Sequence, residues 1–135
     1  MDPWTRPIFD IFHEFYSHSD VQNFIKKGVI EISPLAYMRG RTFHDSFVIA
    51  DEMQNSSPSQ MLMLTTRIGE GTKMVVLGDI AQSDHKNDNG LQDFIERVKC
   101  SNETSLINVM YLERKDVQRS KVVSVVLAIY QKDTN

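Results

Sequence analysis

Two adjacent carboxylates, Asp51 and Glu52, follow directly on the apolar run Phe47-Val48-Ile49-Ala50. A second apolar run, Met74-Val75-Val76-Leu77, leads into Gly78-Asp79, with Gln82 close behind. Short apolar runs bounded by polar residues fit strands buried on both faces, as in a parallel sheet. Acids just past such strands stand at the carboxyl edge of the sheet, where open α/β folds bind ligands. Strand alternation sends neighbouring side chains different ways, so the two acids need not share one job. In a nucleotide hydrolase, Asp51 would hold magnesium through water and Glu52 would polarise the attacking water. Gln82 would sense a γ-phosphate or orient that water. The same residues also read as solvated strand ends and a loop hydrogen-bonder.

Arg39-Gly40-Arg41-Thr42 offers two guanidinium groups and a hydroxyl around a glycine. Such a loop suits phosphate, from a nucleotide or a nucleic-acid backbone; it equally suits a solvated basic turn. Other chemistries find no footing. His13, His18, His44 and His85 lack metal-ligand spacing, and the one cysteine, Cys100, cannot complete a zinc set. A single cysteine also excludes an intrachain disulfide, which fits a reducing, cytoplasmic interior. The net charge of −3 gives no global basic field. No apolar run approaches the ~20 residues of a membrane helix. The start, Met-Asp-Pro-Trp, is acidic and broken by Pro3 and Pro7, unlike a signal peptide.

The elements around these residues alternate. Ile8, Phe9, Ile11, Phe12 and Phe15 mark a first helix over 8–16. Ser19 and Gln22 form a capping-box pattern for a second, with Val21, Phe24 and Ile25 facing the core and Gly28 as the stop. Residues 29–32 read as a strand ended by Pro34. After the strand at 47–51, Ser57-Pro58-Ser59-Gln60 is a capping box with proline at the first helical position. Met61, Leu64, Thr65 and Ile68 follow at helical spacing. A strand at 74–78 precedes a helix marked by Leu91, Phe94, Ile95 and Val98. Residues 106–112 read as another strand, and Val122, Val126, Ile129 and Tyr130 as a last helix, although 122–127 also has strand propensity. The pattern predicts one α/β domain over residues 1–135, a parallel sheet flanked by helices. Two successive strands ending in acids suit the core of a P-loop nucleotide hydrolase, yet no Gly-x-x-x-x-Gly-Lys-[Ser/Thr] occurs. Gly69-Glu70-Gly71-Thr72-Lys73 precedes a strand instead of a helix.

Several longer stretches carry a specific resemblance. They are Gly-Val-Ile-Glu-Ile (28–32), Pro-Leu-Ala-Tyr-Met-Arg-Gly-Arg-Thr-Phe (34–43), Phe-Val-Ile-Ala-Asp-Glu-Met-Gln-Asn (47–55), Thr-Arg-Ile-Gly (66–69) and Val-Val-Leu-Gly-Asp-Ile-Ala-Gln (75–82). With Met-Asp-Pro-Trp at the start, they span most of residues 1–82; beyond residue 90 the match is looser, kept by Gly90-Leu91 and Lys115-Asp116-Val117-x-Arg119. The chain resembles the C-terminal half to two-thirds of the PhoH-like ATPases, themselves similar to the core of superfamily-one helicases. The resemblance implies a partial P-loop NTPase core of the RecA- and helicase-like type, with ATP and Mg2+ as cofactors. It implies that Asp51 and Glu52 are the Walker B pair, magnesium ligand and catalytic base, with Gln54 in the same motif. Gly78, Asp79 and Gln82 match the Gly-Asp-x-x-Gln sensor motif. Arg119 falls where the family carries an arginine that reaches a neighbouring subunit's nucleotide. Members resemble ring-forming ATPases, some linked to RNA, which makes Arg39, Arg41 and Thr42 candidates for nucleic-acid or phosphate contact. Met53 stands where the family usually has alanine, and Ser120-Lys121 departs from the usual residues after Arg119.

In the family the phosphate-binding loop and its strand precede the segment matched here, and that strand is central in the sheet. Without it, strand edges and an apolar face would lie uncovered. Two functions from different classes follow as expectations. One is part of an ATPase, completed by a polypeptide that carries the P-loop half. The other is a non-catalytic remnant or interaction module that binds partners, or itself, through an exposed sheet edge.

Overall fold

The computed structural model describes residues 5–84, 88–102, 105–113, 116 and 120–131. The chain divides into two compact units, Met1–Glu96 and Arg97–Asn135. The first unit opens with helices α1 (Arg6–Phe15) and α2 (His18–Lys26). Each buries one residue, Phe9 and Val21, and Tyr16, just past α1, sets its ring edge-on to Phe24 of α2 at 5.2 Å. The cap of α2 is Ser17, two residues earlier than the spacing predicts. The Asp20 N–H donates to Ser17 Oγ and the Ser17 N–H donates to Asp20 Oδ2, a complete capping box. Ser19 instead shares a hydrogen bond with Ser17 Oγ.

Gly28 ends α2 at φ +70°, in the left-handed region that glycine enters without strain. The N–H groups of Val29 and Ile30 then both return to the Phe24 carbonyl, at 2.8 and 3.2 Å. That closure uses the donors a ladder would need, so the strand expected at 29–32 does not form. A 3-10 turn, Leu35–Met38, follows and packs on the next helix.

The sheet has two parallel strands, β1 (Phe47–Ala50) and β2 (Lys73–Val76), paired from Phe47–Lys73 to Ala50–Val76. Helix α3 (Pro58–Thr65) makes the crossover. Its start is the expected box, with the Gln60 N–H on Ser57 Oγ and the Ser57 N–H on Gln60 Oε1. Helix α4 (Gly90–Cys100) begins in the first unit. The core beneath the sheet is Met38, Met53, Met61, Leu64 and Leu91, with Phe43, Ala50, Met74, Val76, Ile80 and Phe94 packed against it. Three of these five buried residues are methionine, whose flexible thioether fills irregular gaps. The segment Gly69–Lys73 turns through Gly71 at φ +70° and delivers Lys73 into β2, so it heads no helix.

The architecture is therefore α/β with a parallel sheet and helices, and besides the strand at 29–32 two further predicted features are absent. Burial on both faces fails at β1, where Phe47 is 64% exposed and Ile49 lies on the same open face. In the second unit the expected strand at 106–112 has no regular structure, and Leu106 is 97% exposed. A strand exists only with a ladder partner, and apolar, β-branched composition cannot supply one. Helix α5 (Lys121–Gln131) does form, against the strand propensity of 122–127. Among the described residues no helix is long and apolar enough to cross a membrane.

Met61 is 1% exposed at the centre of the core. Met61→Ala is expected to destabilise the fold by about 2–5 kcal/mol, read as a lower urea midpoint. The neighbouring Leu62→Ala, at a position 64% exposed, is expected to stay within about 0.5 kcal/mol of the parent.

Candidate functional site

The ends of β1 and β2 build the site through an irregularity in their pairing. The Leu77 N–H donates to the Ala50 carbonyl at 2.8 Å, continuing the ladder. In a regular parallel ladder the Leu77 carbonyl would then accept from residue 52. It accepts instead from the Met53 N–H at 3.0 Å. One extra residue is thus inserted on the β1 side, the hallmark of a bulge, which re-aims side chains at the end of a strand. Asp51 and Glu52 occupy the inserted stretch, and both are exposed. Glu52 takes φ +56°, ψ +32°, the left-handed conformation, unusual for a residue with a side chain. Its N–H, released from the ladder, donates to Asp51 Oδ1 at 3.0 Å. Left-handed non-glycine residues cost free energy and concentrate at functional sites.

A 3-10 turn, Met53–Asn55, carries the chain away from the bulge. Gln54 within it is 2% exposed. Its Nε2 donates to Glu52 Oε2 at 2.6 Å, and its Oε1 accepts from the Asp79 N–H at 3.2 Å. Gly78 makes room for this amide: a Cβ there would stand 2.6 Å from Gln54 Oε1 and 3.0 Å from Gln54 N. Asp79 in turn accepts from the Ala81 N–H at Oδ1 and from Gln82 Nε2 at Oδ2, the latter at 2.7 Å. Glu52, Gln54, Asp79 and Gln82 are therefore linked in one hydrogen-bonded chain, joined to Asp51 through the Glu52 N–H. Ser83 Oγ closes the floor on the Gln54 carbonyl at 2.9 Å, and the Asp84 N–H donates to Asn55 Oδ1. Sequence reasoning missed Ser83 and the left-handed Glu52; neither residue type nor spacing signals them.

The exposed carboxylates of Asp51 and Glu52 are hard oxygen donors, the type magnesium prefers. Among the described residues no cluster of three or more acids, histidines and cysteines forms a metal cage. Arg119 lies outside the described residues.

The family model described as PhoH-like protein matches residues 1–131. The chain belongs to the PhoH-like family. Relatives of that name include a PhoH-like protein of Synechocystis sp. (strain ATCC 27184 / PCC 6803 / Kazusa), 39% identical over the whole chain and 41% of its own length. One from Bacillus subtilis (strain 168) is 40% identical over 98% of the chain and 41% of its own length. Protein PhoH of Escherichia coli (strain K12) is 36% identical over 95% of the chain and 36% of its own length. The chain thus spans about two fifths of the length of these relatives.

The basic stretch forms a separate group. Arg39 and Thr42 are exposed. Arg41 makes a two-pronged ion pair with Glu31, Nη1 to Oε1 at 2.5 Å and Nη2 to Oε2 at 2.9 Å. Its guanidinium also lies 5.3 Å from the centre of the Phe43 ring. An anion at Arg41 has to compete with Glu31. The Arg41 hydrogen bond, with its charge, holds the Glu31 carboxyl below its ordinary 4.5. A carboxylate depressed by folding stabilises the protein above its unfolded value and loses that contribution as pH falls through the folded value. Both partners are more than a third exposed, so the effect is small. Glu31→Gln is expected to lower the urea midpoint slightly at neutral pH. The gap should close as pH drops below 4.5; a gap independent of pH would contradict the pairing.

Proposed function

We propose that Asp51, Glu52, Asp79 and Gln82 form the acidic half of a magnesium–ATP site, and that the chain takes part in ATP hydrolysis. The observation that carries this reading is the bulge that turns Asp51 and Glu52 outward beside the Gly78–Gln82 turn, with Gln54 joining the two. Asp51 is positioned to hold magnesium through water. Glu52 would act as the general base for the attacking water, and Gln82, hydrogen-bonded to Asp79, would sense the γ-phosphate. The metal, when bound, neutralises charge developing on the phosphates. Arg119 is the candidate for a charge-stabilising contact on a neighbouring subunit's nucleotide. Arg39, Arg41 and Thr42 are candidates for phosphate or RNA contact.

The phosphates themselves need a glycine-rich loop whose backbone N–H groups and lysine grip them. These 135 residues carry no such loop. It has to come from other polypeptide, joined or separate, and the uncovered β1 face and outer strand edges give that polypeptide a place to add. The same uncovered surface favours a second reading, an interaction module that pairs strand edges with a partner or with itself and hydrolyses nothing.

Calorimetry separates the two. With magnesium and ATP, this chain alone is expected to bind weakly or not at all, and to turn over ATP negligibly. Mixed with a polypeptide carrying the P-loop half of a PhoH-like protein, it is expected to bind and to hydrolyse. Glu52→Gln should then lower turnover by about 10²–10⁴-fold, as for loss of a general base, while binding persists. Binding by neither sample supports the interaction module. Robust turnover by the chain alone, abolished by Glu52→Gln, refutes the need for a completing loop.

A further inference from the structure

Gln54 is the residue whose surroundings are least explained by contact with a nucleotide. It is 2% exposed, and both ends of its amide are occupied within the chain. The orientation of that amide is fixed by chemistry. An ionised carboxylate only accepts and a backbone N–H only donates, so Nε2 must face Glu52 and Oε1 must face Asp79. A flipped amide would oppose acceptor to acceptor on one side and donor to donor on the other. The rest of the residue is equally constrained. Its carbonyl takes the Ser83 hydroxyl, and Gly78 presses on its side chain with no Cβ between them.

We propose that Gln54 is a positioning residue that ties the Glu52 carboxylate to the main chain of Asp79, so that a change in the turn Asp79–Gln82 is passed to Glu52. The path is short and each link is directional. Gln82 Nε2 holds Asp79 Oδ2 at 2.7 Å. The Asp79 N–H holds Gln54 Oε1, and Gln54 Nε2 holds Glu52 Oε2 at 2.6 Å. Glu52 has little independent freedom, because its backbone is pinned between the two bonds of Leu77. A ligand that draws Gln82 away from Asp79 lets the turn shift. The Asp79 N–H then pulls or releases the Gln54 amide, and the carboxylate moves with it. The coupling is internal to this chain. Its use, readying a base when a γ-phosphate engages Gln82, rests on the nucleotide-site reading.

The test is solution NMR of this chain, following the Glu52 backbone amide and side-chain carboxyl carbon. Gln82→Ala removes the first link and is expected to shift both Glu52 signals. In a Gln54→Met background, similar in volume but without the amide, the same Gln82→Ala change is expected to leave Glu52 where it was. A purely structural role for Gln54 would lower stability in Gln54→Met yet leave the response to Gln82→Ala intact. That outcome, or no Glu52 response in the parent chain, overturns the proposal. Should Gln54→Met fail to fold, Gly78→Ala provides the second reading. Its Cβ would drive into the Gln54 amide, so Glu52 should shift on that change alone and stop responding to Gln82→Ala. A Glu52 signal unmoved by Gly78→Ala also overturns the proposal. Neither result depends on nucleotide, so failure of the calorimetric test and failure of the coupling are separate events.

Discussion

One peptide group, that of Leu77, sets the geometry on which the rest depends. Its N–H holds Ala50 and its carbonyl holds Met53, leaving room for one residue more than a regular ladder accommodates. The surplus cannot go inward, because Met53 and Gln54 on its far side are buried. It is turned outward, and the residues turned outward are Asp51 and Glu52. The left-handed backbone at Glu52 is the local cost of this arrangement, about 1–3 kcal/mol for such conformations. Two long-range backbone bonds and a buried glutamine hold it in place.

The core beneath serves the same end. Met53, Met61 and Leu91 form the floor, with Val76 and Ile80 packed on it. Leu91 Cδ2 would lie 2.7 Å from a Cβ at Gly78, so the first turn of α4 packs against the start of the Gly78–Gln82 turn. The Gly90 N–H fixes that turn to the Ser56 carbonyl at 2.7 Å. The acids stand in solvent, but every backbone segment that carries them is anchored in packed side chains.

What the sequence reveals follows the range of the interactions. The Ser57–Gln60 cap, the stop at Gly28 and the apolar faces of α3 and α4 are local, and their residues announce them, although Ile68 lies past the end of α3 in a bridge to Phe43. The cap at Ser17 was obscured because Ser17–Asp20 and Ser19–Gln22 present overlapping patterns, and Asp20 completes the earlier one. The strands at 29–32 and 106–112 illustrate the limit of composition. An apolar run records that a segment is suited to burial, but the ladder partner has to come from elsewhere in space. Asp51, Glu52, Asp79 and Gln82 were legible as strand-end chemistry and as motif. The bulge was not, because it is defined by which atom of Leu77 meets which residue. The burial of Gln54 was hidden for the same reason, since its two partners lie on different strands' ends.

The parallel pairing of β1 with β2 has a consequence for the order in which the molecule takes shape. A hairpin can close as soon as its turn is made, but these strands are parallel and joined by a crossover that contains the whole of α3. The rung from Phe47 to Lys73 closes a long loop, with the chain entropy that entails. Non-local pairings of this kind form late in folding. Until Leu77 arrives, Asp51 and Glu52 are two acids on a flexible strand end, with no bulge and no amide beneath them. During synthesis they leave the ribosome well before the residue that positions them. Formation of the bulge and closure of the β1–β2 pairing are thus one event, and a partial opening of the sheet would dissolve the arrangement of Asp51 and Glu52 with it.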